Sequence, residues 1–508
     1  MEIPHGPEGG EGYKGPVDWP ASQYAFADVG VTTAPKPEPP PKFRPDSSNP
    51  FAHIAADLRI ERAAEAPMPP GELGFSVART LRFNRDPLPT MLDAYERFGP
   101  VYTLRLMHAP VVFMLGPAAN HYVTVSHASN FLWREGSMGD LIALLGDGLL
   151  TIDGAEHRRA RRIMLPAFHR ERIAASADTM LEEAERALAG WRDGDELDLY
   201  MWARRLALRV AMRALFGVDP DRDAGDVDLA EEFERALAYY GRDYFLQSLR
   251  GPRSPWRALQ ASRRRLDRVL FTEIARRRKR GADGDDILSL LLAATDEDGS
   301  ALTDRQVRDQ VITLLFAGHD TTTSTVAFLF YELARNPGER PPLLEELDDV
   351  LGGRRPTSAE LIGELPRLEM AMDETLRMYP PAWIGPRRAI REYEFEGHVV
   401  PAGARVNYCS WTSHHLADVF EDPFAFVPER FAPERKAQLP KGAYVPFGGG
   451  SRTCIGMRFG QLEIKAIAAT LLQRFTLDLE PGYRLRTREM PTLSPREGLP
   501  MIVRARGA

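Results

Sequence analysis

The 508-residue chain has only two cysteines, Cys409 and Cys454. That scarcity excludes a disulfide framework and fits a reducing compartment. Long apolar runs are missing too: the best, such as "VVFMLG" (111–116), are strand-sized and far short of the roughly 18 residues a spanning helix needs. The start lacks the basic and apolar layout of a signal peptide, so the chain reads as cytoplasmic with no membrane anchor. At a net charge of −7 it has no overall pull toward nucleic acid. It shows no internal repeat, no C-x-x-C pair and no glycine-rich dinucleotide fingerprint. What is present is ordinary globular composition, 44% hydrophobic and 27% charged, with length enough for a large core.

Proline is plentiful but uneven. Of 41 prolines, 11 fall in the first 50 residues, where apolar periodicity is absent. Residues 1–50 therefore read as an extended or disordered Pro-rich tail, and residues 51–508 as the folded domain. Clear order is expected from "PPGELGF" (69–75). A hairpin follows in "PVYTLRLM" and "PVVFMLG", with His108 and Ala109 as its turn. Beyond residue 155, helical spacing marks 179–191, 229–249 and 266–280, then one long helix from Asp304 to about Asn336 capped by Thr303. Short strands return between Glu394 and Asn407, and a last helix follows Cys454. No second linker divides the ordered part. The expected fold class is mainly α with a minor β-sheet, in one large domain.

Cys454 sits in "FGGGSRTCIG" (447–456). Glycines let backbone N–H groups approach the sulfur, and the helix that follows places its positive end nearby; both favour a thiolate. Arg452 adds a cation suited to a carboxylate or phosphate. Zinc would require further Cys or His ligands close by, and there are none. One thiolate as sole protein ligand is the pattern of a thiolate-bound haem. The spacing F-x-x-G-x-R-x-C-x-G, carried by Phe447, Gly450, Arg452, Cys454 and Gly456, resembles the haem-binding signature of the cytochrome P-450 superfamily, in its soluble bacterial type. Further segments, from about residue 70 to 505, resemble that family in its order.

The resemblance implies a haem b whose iron is ligated by Cys454, with Phe447 and Gly448 beside it. It places Arg452, the pair His157 and Arg161 one turn apart in "DGAEHRRARR", and Arg387 at the haem propionates. Arg388 is the alternative to Arg387. In "AGHDTT" (317–322) the middle of the long helix is poor by propensity, which suggests a site and a local opening of the helix. The resemblance gives Thr321 a hydrogen bond to dioxygen and Asp320 the supply of protons through water. Glu374 and Arg377 of "DETLR", with Arg430 of "FVPERF", look like the family's buried structural triad. By position, Leu149 or Leu150, Phe316, Ala317, Trp383, Ile384 and Met490 match its substrate-contact segments, and their apolar character favours a fatty acid, terpenoid or steroid.

The implied activity is a monooxygenase that inserts one atom of O2 into a hydrophobic small molecule. Only 54 residues follow Cys454, so the electrons are expected from a separate ferredoxin or flavodoxin and its NAD(P)H reductase. A basic face of Arg158, Arg159, Arg162, Arg458 and Lys465 would attract such an acidic partner. Two rivals remain: a haem-thiolate peroxygenase or isomerase, against which the intact Asp320–Thr321 pair argues, and a non-catalytic haem-binding protein.

Overall fold

The computed structural model describes residues 41–45, 49–136, 141–218, 229–242, 244–281, 284, 286–296 and 299–507. Most of the expected tail, residues 1–40 and 46–48, lies outside them. Its last part does not stand off from the domain: Phe43 donates its N–H to Glu135 at 3.2 Å, and Arg44 pairs with Asp57 at 3.1 Å. Helix α1 (Pro50–Ala63) follows, capped by the Asn49 side chain and started by Pro50.

The larger sheet joins β1 (Gly71–Glu72), β2 (Val101–Leu106), β3 (Ala109–Met114), β4 (Phe131–Leu132), β5 (Gly385–Ala389) and β6 (Arg405–Tyr408) in the order β1-β2-β3-β6-β5-β4. In the β2–β3 hairpin Leu106 pairs with Ala109, so the turn is Met107–His108, one residue earlier than expected. Met107 takes the left-handed φ of 52° that this tight reversal demands. A three-stranded sheet of Glu196–Asp198, Phe475–Leu479 and Pro500–Ala505 closes the far side.

Helices make up most of the rest, among them α2 (Gly154–Met164), α3 (Ala177–Leu188), α4 (Leu199–Val210), α5 (Leu229–Leu237), α6 (Pro255–Arg280), α7 (Asp304–Arg335), α8 (Pro366–Met378) and α9 (Met457–Leu472). The expected single run at 229–249 breaks after Leu237 and resumes at Tyr244–Ser248. Helix α6 starts earlier than its periodicity suggested because Ser254 caps it and Pro255 opens it. The long helix matches expectation. Thr303 caps it, and Gln306 reciprocates to complete a capping box.

Helix α7 is buried on nearly every side and packs against α4, α8 and α9. It runs unbroken through Gly318. The expected local opening of its backbone is absent; the hydroxyls of Thr321, Thr323 and Thr325 donate to the carbonyls four residues earlier, and the helix takes up these back-bonds without a break. What opens is the side-chain cover. Ala317, Gly318 and Thr321, on one face, are only half-buried where their neighbours are enclosed.

Candidate functional site

The loop before α9 is built on its glycines. Gly450 has a φ of +58°, and a Cβ there would meet the Thr124 carbonyl at 2.3 Å, so only glycine lets this turn pack against the 122–126 helical turn. The Cys454 N–H donates to the Phe447 carbonyl at 2.9 Å and closes the loop. Cys454 lies deep in the protein, yet its side chain is open to solvent-sized space. Burial pushes its thiol up, against the Gly456 N–H and the Arg161 charge, which lower it. The loop and helix end expected to favour a thiolate are thus outweighed by desolvation, and a metal cation would supply the missing stabilisation.

Four expected cationic groups lie in this region. Arg452 donates to the carbonyls of Ile152 (2.7 Å) and Leu149 (3.3 Å) and to the Asp153 carboxylate (2.5 Å). Arg387, fully enclosed on β5, lies 3.8 Å over the Trp133 ring and 5.2 Å from that of Tyr408. His157 and Arg161 are both buried on α2. Burial lowers the Arg452 guanidinium to about 10, Asp153 opposes this, and the charges of Arg387 and Arg161 add to it. Burial and the charges of Arg452, Arg161 and Arg158 hold His157 at about 2, so it is neutral. Burial also lowers Arg387 and Arg161. Asp153 is the carboxylate set beside Arg452 and Arg387, and one carboxylate does not balance two guanidinium groups that are this enclosed. The set calls for additional anions.

Among the described residues no group of three or more His, Cys, Asp or Glu could hold a metal ion. A metal at Cys454 would therefore take its other ligands from a bound group. A haem, with one thiolate bond and two carboxylates facing this cation set, fits the donors present.

Strand alternation sends Arg387 and Arg388 to opposite faces of β5. Arg387 faces Trp133 and Tyr408, whereas Arg388 turns to the opposite face and bonds Asp57 at 2.6 Å. The triad is assembled: Arg377 bonds both Glu374 oxygens, at 2.7 and 2.8 Å, and Arg430 reaches Glu374 at 3.3 Å. Arg377 also donates to the carbonyls of His414, Pro423 and Ala425. His414 then accepts from the Val445 N–H at 2.9 Å, which ties the triad to the segment entering the cysteine loop.

On the half-buried face of α7, the Thr321 hydroxyl donates to the Ala317 carbonyl at 2.7 Å. Asp320 is enclosed on another face of α7, where Arg204 of α4 lies 2.7 Å away and His319 3.4 Å away. Burial raises its carboxyl, and the Arg204 and Arg488 charges oppose that. Asp320 and Thr321 are thus neighbours in sequence whose polar ends do not meet. On α9, Glu463 is buried with one hydrogen bond, from the Thr322 hydroxyl at 3.1 Å. Burial pushes it up to about 8; it was not foreseen.

The apolar residues divide. Leu149, Leu150 and Phe316 pack in the main core beside α7. Trp383 and Ile384 belong to the cluster around Trp411 and Phe328, with the Trp383 indole donating to the Glu489 carbonyl at 2.7 Å. Met490 is 46% exposed. The expected basic face needs correction. Arg159 and Arg162 are paired with Asp296, and Lys465 is buried against Glu369 and the Ile362 carbonyl. Arg158 is exposed, while Arg458 is half-buried with the acids Glu369 and Asp373 near it. Trp133 and Asp153 were missed because nothing local marks them. Both meet the cysteine loop across some 300 residues of chain.

The cytochrome P450 family model matches residues 69–501. A cyclooctat-9-en-7-ol 5-monooxygenase of Streptomyces melanosporofaciens is 36% identical over 67% of this chain and 75% of its own. A pentalenene oxygenase of Streptomyces avermitilis is 32% identical over 69% of this chain and 78% of its own. Among solved structures, retinoic-acid-bound cyanobacterial CYP120A1 superposes with a TM-score of 0.78 at 29% identity, covering 87% of this chain and all of that one. Among the described residues no helix is long and apolar enough to cross a membrane.

Proposed function

The chain belongs to the cytochrome P450 family of haem-thiolate oxygenases, and from that premise we propose that it hydroxylates a terpenoid, with Cys454 as the iron ligand. The observation that carries the reading is an exposed thiol set among buried cations: the Arg161 charge acts on Cys454, and the charges of Arg387 and Arg161 act on Arg452, two residues from the thiol. The terpenoid class is supported by two relatives whose names state activities on cyclooctat-9-en-7-ol and pentalenene. The apolar side chains Leu149, Leu150 and Phe316 suit such a substrate.

When bound, haem supplies the activation of dioxygen and the transfer of one oxygen atom. The protein supplies position and protons. Arg452, Arg387 and Arg161, with the neutral His157, would hold the two propionates, and Asp153 orients Arg452. Leu149 presents its backbone to Arg452 and Gln310, which fixes it between the cysteine loop and α7. The Thr321 hydroxyl, half-exposed on the open face of α7, can exchange its bond to the Ala317 carbonyl for one to dioxygen or water. Asp320 would have to part from Arg204 before passing a proton that way.

Electrons would come from a ferredoxin or flavodoxin with its NAD(P)H reductase. The exposed Arg158 on α2 is the clearest cation for such a partner, since Arg159 and Arg162 are engaged by Asp296. The test is a reconstituted system with a surrogate ferredoxin and a panel of cyclic terpenoids. Substrate-dependent NADPH oxidation with product one oxygen heavier supports the proposal. Turnover with peroxide alone, and none with NADPH and O2, would make the peroxygenase reading the better one. Thr321→Ala should keep the fold and haem but lower product per NADPH on the order of 10²-fold, with peroxide released instead. Unchanged product per NADPH would remove Thr321 from the mechanism.

A further inference from the structure

We infer that Asp57, on the helix preceding the family-matched region, is a positioning residue for the cofactor site: it fixes β5 from the outer face of the sheet and so holds Arg387 in place. In register, Arg388 of β5 lies opposite Arg405 of β6, so two arginines share one sheet face as direct neighbours. Such like-charge pairs repel. Asp57 lies between them: its Oδ1 accepts from Arg388 at 2.6 Å, and its Oδ2 accepts from Arg405. Arg44 and His108 also reach this carboxylate, at 3.1 and 3.3 Å. Burial would raise Asp57, but the His108 hydrogen bond and the charges of Arg44 and Arg388 outweigh it and hold it at about 2.

Arg388 is 1% exposed, and each of its nitrogens has a partner. Besides Asp57 it donates to the Gly403 carbonyl (2.9 Å) and to the Glu135 carbonyl (3.3 Å). Glu135 ends the turn that carries Trp133, the ring against which Arg387 lies. Next to it, Gly136 rests on the strand so closely that a Cβ would meet the Pro386 carbonyl carbon at 2.9 Å. One ionic hub therefore grips both the strand of Arg387 and the turn of its aromatic support, from the sheet face opposite Arg387. Phe43 covers the hub, 5.7 Å from the Arg388 guanidinium, and its N–H bonds Glu135. Charge at Asp57 is thereby transmitted to the placement of Arg387 without Asp57 approaching the cofactor.

The inference rests on Arg387 being a cofactor-side cation, so the experiment tests the two separately. Purified haem-loaded wild type, Asp57→Asn, Asp57→Glu, Arg387→Gln and Glu61→Gln are compared. Haem transfer to excess apomyoglobin, ferric–ferrous midpoint potential and urea midpoint are measured for each. Glu61 lies on the same helix but pairs with Arg105 of β2, so its variant loosens α1 without touching β5. Arg387→Gln and Asp57→Asn should both speed haem loss on the order of tenfold and move the potential negative, because a propionate loses its cation. Asp57→Glu, which keeps the charge, should lie closer to wild type. Glu61→Gln should lower the urea midpoint alone. Equal haem loss in Asp57→Asn and Glu61→Gln would overturn the inference, as would an effect of Arg387→Gln with none of Asp57→Asn. No effect of Arg387→Gln would overturn the reading of Arg387 instead. Should Asp57→Asn not accumulate, deletion of residues 1–45 removes Arg44 and Phe43 from the hub. A smaller change in the same direction is then expected, and no change in haem loss overturns the inference.

Discussion

Replacing Arg377 by glutamine should be among the most damaging single changes in this protein, and the structure sets its size. Arg377 and Glu374 are both fully enclosed, and the guanidinium bonds both carboxylate oxygens. Removing one partner of such a pair costs about 3–5 kcal/mol, because a charge is left buried with its match gone. Glutamine also abandons most of the three carbonyls that Arg377 now satisfies, at 2.8, 2.8 and 3.2 Å. Each buried carbonyl left unpaired adds about 1–3 kcal/mol. Against a total stability of about 5–15 kcal/mol, little holoprotein should survive. Arg430 provides the internal comparison. It makes one longer bond to Glu374, at 3.3 Å, from a side chain that is 14% exposed, so Arg430→Gln should cost about 1–2 kcal/mol. Urea unfolding followed by tryptophan fluorescence, with haem content measured alongside, gives both values. If Arg430→Gln proved as costly as Arg377→Gln, or Arg377→Gln cost under about 1 kcal/mol, the enclosed ion pair would not be what holds this region.

Two further outcomes follow from burial. Glu463 has its folded-state value raised to about 8 from roughly 4.3 in an unfolded chain. The folded state therefore holds more protons than the unfolded one between those values, and stability is lost as pH rises through that window. Glu463→Gln, which still accepts from Thr322, should gain melting temperature over wild type progressively from pH 5 to pH 8; a constant difference would show that Glu463 is already ionised when folded. Deleting residues 1–40 should leave the melting temperature within a degree or so of wild type, whereas deleting 1–45 should lower it by several degrees, through loss of the Arg44–Asp57 pair and the Phe43 contact. Equal values for the two deletions would show that residues 41–45 contribute nothing.

The features legible in the sequence were those written locally. A capped, periodic helix from Thr303 to Arg335 and a glycine-lined loop before α9 announce themselves within a few turns of chain, and both are found where expected. The triad was legible only through resemblance. Its Glu374 and Arg377 alone read as a surface pair, and what makes them enclosed is the 414–427 segment folding over them. Helix α1 passed unnoticed because its start is marked by Asn49 and Pro50 and not by an apolar stripe. The basic face was misjudged for a non-local reason, since Asp296 and Glu369 come from distant segments to neutralise it. The role of Asp320 came from resemblance alone; its ion pair with Arg204 was not legible, because a helix turns by 100° per residue and that rotation points Asp320 at a partner more than a hundred residues away in sequence. Trp133 and Asp153 contact the cations from two separate segments, the turn after β4 and the cap of α2, which composition alone cannot connect to Cys454.

The central claim is that Cys454 holds the haem iron as its thiolate ligand. The most direct measurement is the carbon monoxide difference spectrum of the reduced protein, taken for wild type and for Cys454→His. Wild type should show the strongly red-shifted Soret band of a thiolate-bound haem. Cys454→His should retain haem on the cation set and lose that shift. A red-shifted band persisting in Cys454→His would contradict the account, because among the described residues the other cysteine, Cys409, is enclosed in a separate core cluster.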